Sequence, residues 1–152
     1  MPKIHSVHDT GNKFCGPAAL SALTGLGTLQ IERKINHIRR KPDYYKVEGC
    51  YVSELIQVLE NLDYEVEMKP SDGSLFWQLS TIRQDGLYLV CVPHHFVVLD
   101  IQGNNRYLVD NHTKSPINAG SSARLQQQVQ GVYRIWRDKN KEVIENMEAW
   151  GL

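Results

Sequence analysis

Three cysteines and six histidines are the groups in this 152-residue chain best suited to nucleophilic chemistry, and Cys15 has the setting for it. A polar, turn-forming segment (His8, Asp9, Thr10, Gly11, Asn12) leads into Cys15-Gly16-Pro17, and an Ala/Leu-rich run to Leu23 follows. Pro17 suits the first turn of a helix. Cys15 therefore stands at a predicted helix N-terminus, where unpaired backbone N–H groups and the helix dipole stabilise a thiolate near neutral pH. Its own N–H would also face a developing oxyanion. A free cysteine is more often an inert, small buried hydrophobe, but the loop–Cys-Gly-Pro–helix order shifts the reading toward function. Cys50 precedes another predicted helix and is a second candidate thiol, yet nothing near it in sequence supplies a partner, so it reads as structural. Cys91, inside Leu89-Val90-Cys91-Val92, reads as core.

A catalytic thiol needs a base, and the base needs a third group to hold its ring. His94-His95 opens an apolar segment, and Asp110-Asn111 closes the next one. Between these segments Gln102-Gly103-Asn104-Asn105 is a hairpin signal. An even-numbered connection puts Ile101 opposite Arg106 and Val97 opposite Asp110. With side chains alternating at period two, His95, Val97 and Asp110 then share one face, while His94, Phe96 and Asn111 share the other. His95 and Asp110 become diagonal neighbours about 7–8 Å apart, within side-chain reach. Two pairings compete on these grounds, His95 with Asp110 and His94 with Asn111. Cys91-Val92-Pro93-His94 has ligand-like spacing for zinc, but a structural zinc site wants a second such pair, and none exists here.

The elements that must position these groups follow from periodicity. Helices are predicted over Cys15–Leu23, Leu29–Arg39 (Ile31, Ile35, Ile38) and Tyr51–Asn61 (Val52, Leu55, Ile56, Leu59), with Gly25 and Gly27 ending the first. Tyr64–Met68 alternates like a strand, and a short helix is expected around Leu75–Arg83. Strands are expected at Leu87–Val92, His95–Ile101, Arg106–Asp110 and Val132–Trp136. Helices first and sheet second is an α+β arrangement, read as a single domain over 1–152. The stretch 137–152 reads as a charged tail, with Val143, Ile144 and Met147 giving it a weak apolar stripe.

Seventeen Lys plus Arg balance seventeen Asp plus Glu, so no basic field points to nucleic acid or an anionic membrane. The longest apolar run, Leu87–Pro93, is too short to cross a bilayer. Met1–His5 lacks the apolar stretch of a signal peptide. Three widely spaced cysteines make no disulfide framework, and the expectation is a cytoplasmic protein with reduced thiols. No cofactor or metal is required by these residues.

The sequence resembles papain-like cysteine peptidases, and most closely the bacterial branch that processes bacteriocin precursors after double-glycine leaders. The resemblance rests on Phe14-Cys15-Gly16-Pro17-Ala18-Ala19-Leu20, His95-Phe96-Val97-Val98-Leu99 and Tyr107-Leu108-Val109-Asp110, in the family's Cys–His–Asp order. It spans roughly residues 8 to 112. It implies a papain-like fold, a catalytic set of Cys15, His95 and Asp110 in preference to His94 and Asn111, and a protein or peptide substrate. Two positions depart from the family. Asp9 stands where a Gln usually donates to the oxyanion, and Asn12 or His8 would have to substitute, with Asn12 preferred. Asn111 follows the acid where Pro is usual. The expected chemistry is acyl transfer through a thioester, as a peptidase or amidase acting on a peptide or isopeptide bond. The alternatives are a transglutaminase or acyltransferase using the same triad, and a degenerate fold kept as a protein-binding module. Tyr44, Tyr45 and Trp77 are candidate partner contacts in a further reading as an inhibitor or effector, against ordinary partial burial.

Overall fold

The structure, a computed structural model, describes residues 3–137. Three helices come first: α1 (Cys15–Thr24), α2 (Thr28–Arg39) and α3 (Val52–Asn61). They are followed by β1 (Tyr64–Lys69), a short α4 (Leu75–Thr81), β2 (Gly86–Val92), β3 (His95–Gln102), β4 (Asn105–Val109), β5 (Ile117–Asn118), a 3-10 turn and β6 (Gly131–Arg137). The strands form one antiparallel sheet in the order β1-β6-β2-β3-β4-β5. The α+β expectation holds. The expected tail begins at Arg137, which the structure places at the end of β6, and residues 138–152 lie outside the described residues.

Both faces of the sheet are covered, which is why β2 and β3 read as continuous apolar runs rather than alternating ones. Leu89, Phe96, Val98, Val109 and Ile135 face a core shared with Leu20, Leu23, Ile31, Ile35, Leu55 and Leu59 of α1–α3. The interleaved residues Tyr88, Val90, Val97, Leu99, Ile101, Leu108 and Val132 face a second core closed by Leu75 and Leu79 of α4, with Ala119 and Val129. Side-chain alternation at period two thus divides the strands between two cores.

The hairpins set the register that the site depends on. Gln102 pairs with Asn105 and Ile101 with Arg106, as the turn sequence predicts, and Gly103 takes the left-handed φ of 60° that the tight turn demands. On the other side Val92 pairs with His95 across Pro93-His94. His94 there adopts φ 56°, at the position following a proline where type II turns require positive φ. The short helix ends at Thr81, before the expected Arg83, because Ile82 turns extended and buries itself beneath α4. The 3-10 turn and β5, in the stretch read as merely polar, add a two-residue edge against Tyr107 and Leu108. Among the described residues no helix is long and apolar enough to cross a membrane.

The loop before α1 is tied down throughout. The Ile4 N–H reaches the carboxylate of Asp100, buried in β3, as does that of Lys3. His5 N–H reaches Ala22 O, and His8 N–H reaches Ser21 Oγ. A buried carboxylate satisfied by backbone donors acts here as a clamp for the chain leading to Cys15.

Candidate functional site

Cys15 is the first residue of α1. Its N-cap residue, Phe14, gives no side-chain cap, and the first turn carries no acidic residue. The positive end of the helix is therefore left unneutralised. The tip of α1 meets the start of β3, and the His95 side chain and the Phe96 N–H there favour the thiolate form of Cys15. Burial opposes ionisation of Cys15, but these groups outweigh it and hold the thiol below its ordinary pKa.

His95 is buried at 7% exposure, and its Nε2 lies 3.0 Å from Asp110 Oδ2. That leaves Nδ1 for the thiol. Burial disfavours the imidazolium, yet the bonds to Asp110 and Cys15 hold the pKa of His95 above the ordinary value. Asp110, immediately after β4, is 3% exposed. Its Oδ1 accepts the N–H groups of His112 (2.9 Å) and Thr113 (2.8 Å), closing a tight turn, and its own N–H donates to Thr113 Oγ1. Burial works against the charged form, but the bonds from His95, Thr113 and His112 hold this carboxyl well below the usual carboxylate range. The structure thus brings Cys15, His95 and Asp110 together, His95 bonded to Asp110 and sharing the wall of one cleft with Cys15, from segments separated by up to 95 residues of sequence. The competing pair is not assembled. Asn111 Nδ2 donates instead to Lys13 O at 3.2 Å, and His94 is taken up in the turn.

Asn12 is 1% exposed, and both ends of its amide are engaged. Its Nδ2 donates to Val47 O at 2.8 Å, and its Oδ1 accepts Phe14 N–H at 2.9 Å. It shapes the backbone just before Cys15. Asp9 is exposed and accepts Gly11 N–H.

A cleft of about 540 Å³ opens over the thiol, with Cys15, Cys50, Tyr51, Cys91, His95 and Phe96 among its walls. All three cysteines line it. Burial pushes the Cys50 thiol up to about 12 and the Cys91 thiol up to about 11, so Cys15 alone is shifted toward thiolate. Cys50 Sγ packs on Gly16, whose Cβ, if it had one, would lie 2.6 Å from that sulfur. Cys91 and His94 belong to no cluster of three metal-ligating side chains among the described residues. Tyr44 (84%) and Trp77 (55%) are exposed, and Tyr45 stacks on Tyr44 at 5.4 Å.

Two contributors were not foreseen. The turn Asp110-Asn111-His112-Thr113 has a legible signature, an aspartate closing on N–H groups two and three residues later. The other, Arg124, donates from Nε to Asp110 Oδ2 at 3.2 Å. It comes from a polar stretch where no periodicity or motif singles it out.

No family model and no curated protein matches the sequence. Solved structures do match the fold. One is a double glycine motif protease from an AMS/PCAT transporter, determined in complex with the leader peptide. It aligns at TM-score 0.57 and 15% identity over 90% of this chain and 94% of that one. Another is the peptidase domain of Streptococcus ComA, a bifunctional ABC transporter in a quorum-sensing pathway. It aligns at TM-score 0.53 and 16% identity over 91% of this chain and 97% of that one. The chain therefore has the papain-like α+β fold of these bacterial peptidase domains, the branch its motifs resemble.

Proposed function

We propose that the chain, acting as one domain, is a cysteine peptidase or amidase that works through a thioester on Cys15. The observation that carries this is the juxtaposition of Cys15, His95 and Asp110 at an open cleft, with His95 bonded to Asp110, the thiol shifted down and the imidazole shifted up, both in the direction of a thiolate–imidazolium pair. In this mechanism the Cys15 thiolate attacks a peptide or isopeptide carbonyl carbon, and the carbonyl π electrons move onto oxygen. The Cys15 N–H at the uncapped helix start supports that oxyanion. Asn12 contributes by holding the preceding loop. His95 passes its proton to the leaving amine as the C–N bond breaks, leaving an acyl-thioester. It then takes a proton from water, whose oxygen forms the new acyl bond and releases Cys15. Asp110 keeps the imidazole oriented with Nδ1 toward the sulfur. A peptide substrate is supported by the neighbour solved with a leader peptide.

The test is iodoacetamide labelling as a function of pH, mapped to individual cysteines on native wild type and His95→Ala. Fast labelling of Cys15 well below pH 8, lost in His95→Ala, is the expected result. An ordinary thiol profile unaffected by the substitution would leave the fold with a binding role. One observation favours that second reading. Asp9, at the usual oxyanion-donor position, is exposed and bonded to Gly11, and so supplies no neutral donor to the cleft. Reactive Cys15 labelling combined with transfer to an added amine, and no hydrolysis, would identify the transferase variant of the same chemistry.

A further inference from the structure

The carboxylate of Asp110 has one more partner than the proposed reaction needs. Its Oδ2 accepts from His95 Nε2 at 3.0 Å and from Arg124 Nε at 3.2 Å, while its Oδ1 is saturated by two backbone N–H groups. We propose that Arg124 is a positioning residue of the site: by sharing Oδ2 with His95 it fixes the plane of the Asp110 carboxylate and limits how strongly that carboxylate holds the imidazolium. This inference rests on the reading of Cys15, His95 and Asp110 as the reacting set.

Arg124 is anchored for such a role. Its own N–H reaches Ser122 Oγ at 3.1 Å, its carbonyl accepts Gln127 N–H, and one guanidinium nitrogen reaches Gln127 Oε1 at 3.4 Å. The loop carrying it is in turn bonded to the start of α4, through Leu125 O and Gln127 O. The side chain is 21% exposed, against 3% for Asp110. Guanidinium and thiol border different cavities. Arg124 and Asp110 border a separate cavity with His112, Thr113 and Ser122, whereas Cys15 and His95 border the cleft. Arg124 thus bonds to Asp110 rather than to a residue of the cleft.

The charges along this line alternate: thiolate, imidazolium, carboxylate, guanidinium. A buried row ending in a carboxylate would carry a net negative charge that over-stabilises the imidazolium, and the guanidinium cancels it. The positive charge of Arg124 accordingly acts to lower the proton affinity of His95. The other titratable groups sharing the cleft with His95 are Cys15 from α1, Glu48, Cys50 and Tyr51 from the segment before α3, Cys91 of β2, Tyr133 of β6 and His94 beside it in the turn, while the ring of His112 stacks on His95 at 5.7 Å.

The experiment compares wild type, Arg124→Gln, Arg124→Lys and His95→Ala by two readouts. One is the NMR titration of the histidine Cε1–H signals, with His95 identified by its loss in His95→Ala. The other is the pH profile of Cys15 alkylation by iodoacetamide. In Arg124→Gln the His95 titration should move up by about one pH unit, while Arg124→Lys stays within a few tenths of wild type. Where the Gln variant does not fold, Arg124→Met, neutral and similar in volume, takes its place. Superimposed titrations of wild type and the neutral variant, with His95-dependent Cys15 reactivity intact, would overturn the role of Arg124 alone. Equal shifts in the Lys and neutral variants would overturn it as well. Absence of His95-dependent reactivity in wild type would overturn the reading of the site and this inference with it.

Discussion

Cys15 and Cys50 sit at the amino ends of two helices and face the same cleft, with the sulfur of one packed on the residue next to the other. Their thiols are nevertheless shifted in opposite directions. Burial acts on both, and it acts upward on both. What separates them is what else reaches the sulfur. At Cys15 the helix start has no capping side chain, and His95 and the Phe96 N–H favour the thiolate. At Cys50 the positive end of α3 is already occupied. Glu54 in its first turn accepts Tyr51 N–H at 2.9 Å and pairs with Arg39 at 2.6 Å. A helix N-terminus activates a thiol only when no carboxylate has neutralised it first, and even then the paired imidazole supplies much of the shift.

The largest expected difference is in reactivity at neutral pH. With its thiol at about 12, Cys50 is thiolate in roughly one molecule in 10⁵ at pH 7. After allowing for the higher intrinsic nucleophilicity of the Cys50 thiolate, Cys15 should still be alkylated about a hundredfold faster. Residue-resolved labelling checks this, and comparable rates would erase the distinction. Cys15→Ala should abolish turnover of any substrate, while Cys50→Ala should leave Cys15 labelling within a few-fold.

Removing the partner that Cys50 lacks should make the two sites alike. His95→Ala is expected to slow Cys15 labelling at pH 6 by about 10- to 100-fold. The pH window follows from the same pair. The imidazolium's contribution is complete below the ordinary histidine value and is lost as pH rises through the raised pKa of His95. The thiolate's contribution is present above the ordinary thiol range and is lost as pH falls through the lowered pKa of Cys15. Labelling by the anion iodoacetate should therefore rise and then fall with pH in wild type, and lose its falling limb in His95→Ala.

A packing role for Cys50 predicts a smaller, structural effect. Gly16→Ala should destabilise the fold by about 1–3 kcal/mol through its contact with the Cys50 sulfur. Cys50→Ala in the same chain should recover part of that loss, measured as non-additivity in a denaturant-unfolding cycle. The smallest effect is expected from Glu54→Gln. Loss of the cap and of the partly exposed pair with Arg39 should cost about 1 kcal/mol or less. The Cys50 thiol should move downward, since Glu54 is one of the charges raising it, and alkaline thiol titration would detect the change.

How much of this was legible depended on how local the determinants are. The register joining His95 to Asp110 could be read because a two-residue turn, Gly103-Asn104, fixes parity by itself. The start of α1 could be read because Gly16-Pro17 ends a polar loop, although the reason Gly16 must lack a side chain lies 34 residues away at Cys50. Arg124 was not legible. Its partner is 14 residues back, in a stretch whose path is set by backbone bonds to α4 rather than by any period of its own. Asn12 could be picked out as special, yet its sequence neighbours could not show that Val47 would take up its amide. The order of the sheet was equally hidden, because pairing between β1 and β6 depends on which faces the helices cover.

That sheet order bears on how the molecule comes into being. Among the described residues β6 is the last strand to leave the ribosome, yet it lies second in the sheet, between β1 and β2. Until residues 131–137 emerge, β1 has no strand to pair with and β2 presents an open edge. The nucleophile is made early, the base and acid far later, and the strand that closes the sheet later still. A nascent chain thus holds Cys15, His95 and Asp110 in its sequence well before residues 131–137 complete the sheet that carries His95.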